Sequence, residues 1–140
     1  MKACNIYRTK KEYKIVTMYH TDWGWYISDD PIFFLPLNAT KEDIVSAISK
    51  AIDASSEIEQ PSSNSSKELL VKMKEKSWSS LYKNSKCCDL YIDEHNATLE
   101  PQKYSSEYRA LETDKDNVVS MEKYNYDIIA DELLRLFELE

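Results

Sequence analysis

Between residues 40 and 52 the apolar side chains gather on one side of a helix. Ile44, Ala47, Ile48, Ala51 and Ile52 recur at i, i+3, i+4, i+7 and i+8, a single stripe about 100° wide. Thr40 stands where an N-cap is needed, and Glu42 and Asp43 follow in the first turn, where the helix dipole favours acids. A helix with one apolar stripe has one face to bury, so a layer of other structure must lie against it. The same constraint recurs at the far end. Asn125 precedes a run in which Ile129, Ala130, Leu133, Leu136 and Phe137 form a second one-sided stripe.

The segments available to cover these helices read as strands. Asn5 to Arg8, Tyr13 to Tyr19, Trp23 to Ile27 and Ile32 to Leu35 are rich in β-branched and aromatic residues. His20-Thr21-Asp22 and Ser28-Asp29-Asp30-Pro31 read as the turns between them. Beyond the first helix, Ser55 to Ser66 has six Ser, one Pro and little to bury, and is expected to be a mobile loop, about 55–66. Lys67 to Lys74 and Ser77 to Asn84 are short connecting helices, the second capped by Ser77. Strands follow at Cys87 to Ile92, Ala97 to Tyr104, Tyr108 to Glu112 and Asn117 to Glu122, with turns at Glu94-His95-Asn96 and Asp114-Lys115-Asp116. The expected fold is α+β: antiparallel β-sheets with helices packed on one side, built from two strand-then-helix units within a single domain, 1–140.

Composition narrows the function. Gly24 is the only glycine among 140 residues, so no glycine-rich loop can cradle a phosphate, and a nucleotide site is not expected. Met1 to Lys14 interleaves basic and apolar residues without the apolar run of a signal peptide. No stretch approaches the roughly 20 apolar residues of a membrane span. Cys4, Cys87 and Cys88 are odd in number and two are adjacent, which suits free thiols in a reducing cytoplasm rather than a disulfide framework. Charge is distributed unevenly. Residues 1–88 hold 13 bases and 11 acids, net +2, whereas residues 89–140 hold 5 bases and 14 acids, net −9. Acidic protein repels nucleic acid and favours a basic partner.

No constellation points to catalysis or to a cofactor. His20 and His95 both fall in predicted turns, where a general base is poorly held. A pairing of Cys87 or Cys88 with His95 implies no third, orienting group. Three cysteines and two histidines scattered from Cys4 to His95 lack the close ligand pairs of a zinc site. Asp29-Asp30, followed by Pro31, reads as a turn before it reads as an acid–base pair. Trp23 and Trp25 flank Gly24 on one face of a strand and suit a core or an interface better than a base-stacking platform, given the sparse positive charge around them. The acidic last third remains. Its turns and strands would present a negative surface, with Asp89, Asp93, Glu94, Glu112, Asp114 and Asp116 steering a basic partner and Tyr91, Tyr104 and Tyr108 as anchors.

Two blocks of residues resemble a known family. Trp23-Gly24-Trp25-Tyr26-Ile27-Ser28-Asp29-Asp30-Pro31, with Leu35-Pro36-Leu37 and the Thr40 helix, is similar to immunity proteins of bacterial contact-dependent growth inhibition systems. Ser77-Trp78, Leu81-Tyr82-Lys83-Asn84 and the strand opening at Lys86 resemble a second block of that family. The resemblance covers roughly a third of the chain, and the C-terminal third carries no matching motif. It implies a non-enzymatic cytoplasmic antidote without a cofactor, which binds the C-terminal toxin domain of a surface-delivered effector, commonly a nuclease. Some such proteins are similar in fold to the single-strand nucleic-acid-binding Whirly proteins. The alternatives are a nucleic-acid-binding module on a similar fold, against which the charge map argues, and a small hydrolase with an unrecognised site.

Overall fold

Central strands buried on both faces set up the architecture, with β1 (Lys2–Arg8) buried from Ala3 to Tyr7. Within it, Cys4 and Ile6 point to one face of the sheet and Asn5 and Tyr7 to the other. A computed structural model describes residues 1–58 and 66–139. β2 (Glu12–Thr21) and β3 (Tyr26–Pro36) complete a first antiparallel meander, followed by α1 (Lys41–Ala54) and the two-residue β4 (Glu57–Ile58). The short helices α2 (Ser66–Lys72) and α3 (Trp78–Asn84) lead to β5 (Lys86–Ile92), β6 (Ala97–Ser105), β7 (Ala110–Thr113), β8 (Val119–Met121) and α4 (Tyr126–Phe137).

Among the described residues the strands form one eight-stranded sheet in the order β3-β2-β1-β5-β6-β7. β8 shares the outer edge of β6 with β7, and β4 pairs with β2 in parallel, the other pairings being antiparallel. The two meanders meet at the antiparallel β1–β5 pair, where Asn5 lies opposite Asp89 and Ile6 opposite Cys88. This is the α+β class and the two-unit order expected from the sequence.

The stripes of α1 and α4 pack against each other and against Cys4, Ile6, Ile15, Cys88, Leu90 and Leu99 on one face. Thr40 and Asp43 make a reciprocal capping box on α1, and Asn125 Oδ1 accepts from Ile128 N–H at 2.8 Å to start α4. At the other end of α4, Lys86 Nζ donates to the carbonyls of Phe137, at 2.7 Å, and Leu139.

Three expectations are corrected. The helices do not all share one side: α2 and α3 lie on the opposite face, where Met73, Leu81 and Trp78 meet Tyr7, Val16 and Cys87. Lys14 anchors this layer. Its buried ammonium donates to Met73 O at 2.6 Å and pairs with the Glu75 carboxylate. Second, Ser28 to Pro31 is not a turn but part of β3. The register steps from Val16↔Ile32 to Thr17↔Asp29, so Asp30 and Pro31 are accommodated as a bulge, and Thr17 Oγ1 donates to Pro31 O at 2.8 Å. Lys72 of α2 pairs with both Asp29 and Asp30 across that bulge. Third, the predicted loop does not begin at Ser55. That residue is buried, its Oγ accepting from Ala3 N–H at 3.0 Å and donating to Met18 O, and Ile58 is already in β4. Residues 59–65 of the predicted loop lie outside the described residues. No described helix is long and apolar enough to cross a membrane.

Candidate binding cleft

The face carrying α2 and α3 is only partly covered. Between those helices and the centre of the sheet lies a cleft of about 440 Å³. Its floor comes from central strands: Asn5 and Tyr7 of β1, Val16 and Met18 of β2, Ser28 of β3, and Cys87, Asp89 and Tyr91 of β5. Leu69, Met73, Trp78 and Tyr82 wall one side. Tyr26 packs edge-on against Tyr91 with ring centres 5.1 Å apart, and Trp25 stands at the mouth.

Among the described residues, Asp89 is the one Asp, Glu, Lys or Arg in that lining. A hydrogen-bonded chain fixes it: Ser28 Oγ donates to Asn5 Oδ1 at 2.6 Å, and Asn5 Nδ2 donates to Asp89 Oδ1 at 2.6 Å. The Tyr91 hydroxyl donates more weakly to Oδ2, at 3.4 Å. Burial pushes the carboxyl up to about 6, against the pull of the Asn5 bond, and Glu100 across the β5–β6 pair pushes in the same upward direction. Even so, the group is mostly ionised at neutral pH.

Its neighbours are not. Burial, then the Asp89 charge, raises the Cys87 thiol and the Tyr91 phenol, so both hold their protons. Cys87 faces the cleft while Cys88 points into the α1–α4 core, and all three thiols are free and buried. His95 sits in the exposed β5–β6 turn, and the length of β5 separates it from Cys88 by roughly 13 Å or more. The Cys–His pairing is therefore not assembled. His20, expected in a turn, lies on β2 with Nδ1 3.1 Å from Glu57. The cleft presents one anion among aromatic rings and protonated groups, which suits recognition of a cation better than attack on a bond.

The two tryptophans take a different place from the one expected. They lie in the β2–β3 connection rather than on a strand, with Gly24 at φ +90° between them, a conformation that L side chains rarely adopt. Their rings pack edge-on at 5.0 Å and stay 58% and 51% exposed. Exposed, mutually braced tryptophans beside a cleft have the character of an interface anchor.

The sequence-predicted residues are not gathered into one patch. Asp89, Tyr91 and Tyr104 share the cleft face, but Asp89 is half-buried and cannot steer from the surface as expected. Glu112 pairs with Lys103 on the opposite face. Asp93 and Glu94 occupy the β5–β6 turn, where Asp93 accepts from the His95 and Asn96 amides and is held below the usual carboxylate range. Tyr108, 70% exposed, lies in the β6–β7 turn at the other end of β6, roughly 26 Å away. Asp114 and Asp116 flank the outer edge of β6 around a short 3-10 turn. Other acids of the last third are locally paired: Asp131 with Lys41, Glu132 with Arg135 and Glu138 with Arg8. No continuous negative surface results.

The charge is instead polar along the strands. The tryptophan turn, which also carries Asp22, lies at the same end as Asp93 and Glu94. At the other end Arg8, Lys10, Lys11, Lys74, Lys76, Lys83 and Lys86 line two shallow hollows. The sequence places Asn5 on a strand and Ser28 in a turn, but neither among the site residues. The available signal was a single polar residue inside an apolar strand, Asn5 within Ala3 to Tyr7 and Asp89 within Cys87 to Ile92.

No family model matches the chain, and no curated protein matches it. Solved structures do. A protein of unknown function from Neisseria meningitidis, NMB0488, superposes with a TM-score of 0.73 at 15% identity, over 95% of this chain and 91% of that one. A chain of the CdiA-CT/CdiI toxin and immunity complex from Yersinia pseudotuberculosis superposes with a TM-score of 0.69 at 14% identity, over 97% and 94%. The fold of this chain, end to end, is that of a chain from a contact-dependent growth inhibition toxin–immunity complex, in agreement with the resemblance carried by the Trp23 to Pro31 block.

Proposed function

We propose that this chain is a cytoplasmic immunity protein that binds and neutralises the C-terminal toxin domain, a nuclease, of a contact-dependent growth inhibition effector. The observation that carries the reading is the fold shared over 97% of the chain with a member of a toxin–immunity complex. The cleft supports it, because its groups favour binding over chemistry. A nuclease must hold phosphates and so presents basic surface, which an acidic inhibitor captures quickly and selectively. The contact surface is the tryptophan end: Trp23 and Trp25 anchor, Asp93 and Glu94 steer, and the cleft lies behind them. Glu112, Asp114 and Asp116 form a second, outer group of steering charges, while Tyr104, on the cleft face, and Tyr108, in the β6–β7 turn, are further anchors.

The test pairs this protein with the toxin domain encoded immediately upstream of its gene. Stopped-flow association across salt concentrations should give a fast, salt-sensitive on-rate and loss of toxin activity in the complex. Reversal of Glu112, Asp114 and Asp116 to Lys should slow association and flatten its salt dependence. A toxin domain that stays fully active with a molar excess of this protein refutes the reading.

A second reading, a nucleic-acid-binding module on a similar fold, is favoured by one observation, the cluster of cations at the other end of the sheet, which outnumber Glu12, Glu75 and Glu138 in the same two hollows. Salt-dependent binding of single-stranded RNA or DNA, lost on substituting Lys10, Lys11, Lys74 and Lys76, would support it.

A further inference from the structure

Asp89 is a charge without a counter-charge. Among the described residues no Lys or Arg forms a salt bridge with it, and Lys14 and Lys72 are engaged by other groups. Lys72 is held by Asp29 and Asp30, and Lys14 by Glu75 and Met73 O. Glu100, its register neighbour on β6, adds negative charge on the same face. A half-buried carboxylate ordinarily acquires a partner or a proton. Here burial has gone only part of the way, and the group stays oriented by Asn5 and Ser28 as though its second oxygen were kept for something else. Among the described residues, Oδ2 accepts just the long Tyr91 bond.

The cleft into which this carboxylate faces is lined by aromatic rings. The cleft, about 440 Å³, is within the usual range for a binding pocket, and aromatic and aliphatic side chains share its lining with polar groups, among them Asn5, Ser28 and Asp89. Tyr26 and Tyr91 meet edge-on beside Asp89, and Trp25 flanks the entrance, half exposed. Aromatic faces attract cations, and a guanidinium can both stack on a ring and give two parallel N–H groups to one carboxylate. An ammonium has neither the plane nor the fork.

We propose that the cleft receives an arginine side chain of the toxin domain, whose guanidinium pairs with Asp89 between the aromatic walls. This rests on the immunity reading for the identity of the partner and adds to it the residue class recognised and the group that recognises it. Charge complementarity selects this occupant. A partner evolved to hold phosphates is rich in arginine, and the most deeply placed anion at this end of the inhibitor is Asp89. Docking one of those arginines here would remove it from nucleic acid, so recognition and inhibition become one contact.

Two measurements test this separately from the immunity reading. In the first, ¹³C-carboxyl and amide NMR of the free protein is followed while N-acetyl-arginine amide is added, with N-acetyl-citrulline amide as the neutral isostere. The expected result is selective perturbation of Asp89, Tyr91, Ser28 and Tyr26 by the arginine compound alone, abolished in Asp89→Asn. Equal responses to both compounds, or none at the cleft, overturn the proposal. In the second, binding of the upstream-encoded toxin domain is measured for the wild type, Asp89→Asn and Asp89→Glu. Asp89→Asn should weaken binding at least tenfold while leaving the NMR spectrum folded, and Asp89→Glu should recover part of the loss. A toxin domain that binds the wild type and Asp89→Asn equally well overturns the cleft proposal and leaves the immunity reading intact. One that ignores the wild type refutes the immunity reading instead.

Discussion

Replacing Asp89 by Asn should make the free protein more stable at neutral pH. The carboxyl rises from an ordinary value of 3.8 to about 6 on folding, chiefly through burial. At about 1.4 kcal/mol per pH unit, that gap corresponds to about 3 kcal/mol between the two ionisation states. The sign follows from proton counting. Between pH 4 and 6 the folded chain holds the proton that the unfolded chain has released, so folding is favoured at the acid side of this window. The advantage is lost as pH rises through about 6, and above that the ionised group costs the fold the full amount. Asparagine keeps the shape and can still accept from Asn5, but carries no charge to desolvate. An imperfect hydrogen bond from its new amide offsets about 1 kcal/mol, leaving a net gain of about 2 kcal/mol at pH 7.5. For a chain of this length that raises Tm by about 4–8 °C. Urea unfolding of both proteins at pH 4 and pH 7.5 measures it, and the comparison cancels the other carboxylates. A stability difference that does not grow between the two pH values, or an Asp89→Asn protein weaker than wild type at pH 7.5, would refute the reasoning. Stability given up at a cleft is what a binding site is expected to show.

Other substitutions probe the rest of the molecule. Leu133→Ala or Ile48→Ala, each fully buried in the α1–α4 core, should cost about 2–5 kcal/mol in urea unfolding. Lys14→Ala leaves Glu75 without its buried partner and should cost about 3 kcal/mol, with most of it recovered in Lys14→Met/Glu75→Leu. Trp23→Ala/Trp25→Ala should leave the unfolding midpoint nearly unchanged, since both rings are half exposed, yet weaken toxin binding by tenfold or more in calorimetry. Cys4, Cys87 and Cys88 should react with a thiol reagent only after denaturant is added, because burial keeps all three protonated and covered.

The elements legible in the sequence are those whose signals are local. The stripes of α1 and α4 and their caps at Thr40 and Asn125 lie within a few turns of chain, and both helices form where the periodicity places them. The strands from Cys87 to Met121 and the two-unit order follow from short runs of β-formers between polar turns. Tertiary structure decided the rest. Asp29-Asp30-Pro31 has every local reason to turn, but β2 offers a ladder on both sides of it, and one bulge costs less than abandoning eleven residues of β3. The short helices α2 and α3 carry too few apolar residues to declare a face, and their place opposite α1 and α4 rests on long-range contacts, Leu81 and Trp78 with Tyr7 and Val16, and Lys14 with Met73 O and Glu75 on that same face. Asn5 and Asp89 are 84 residues apart and meet only because β1 and β5 pair in one register. A slip of a single residue would turn the acid into the opposite core and leave no cleft anion, so the site exists only as a property of strand pairing.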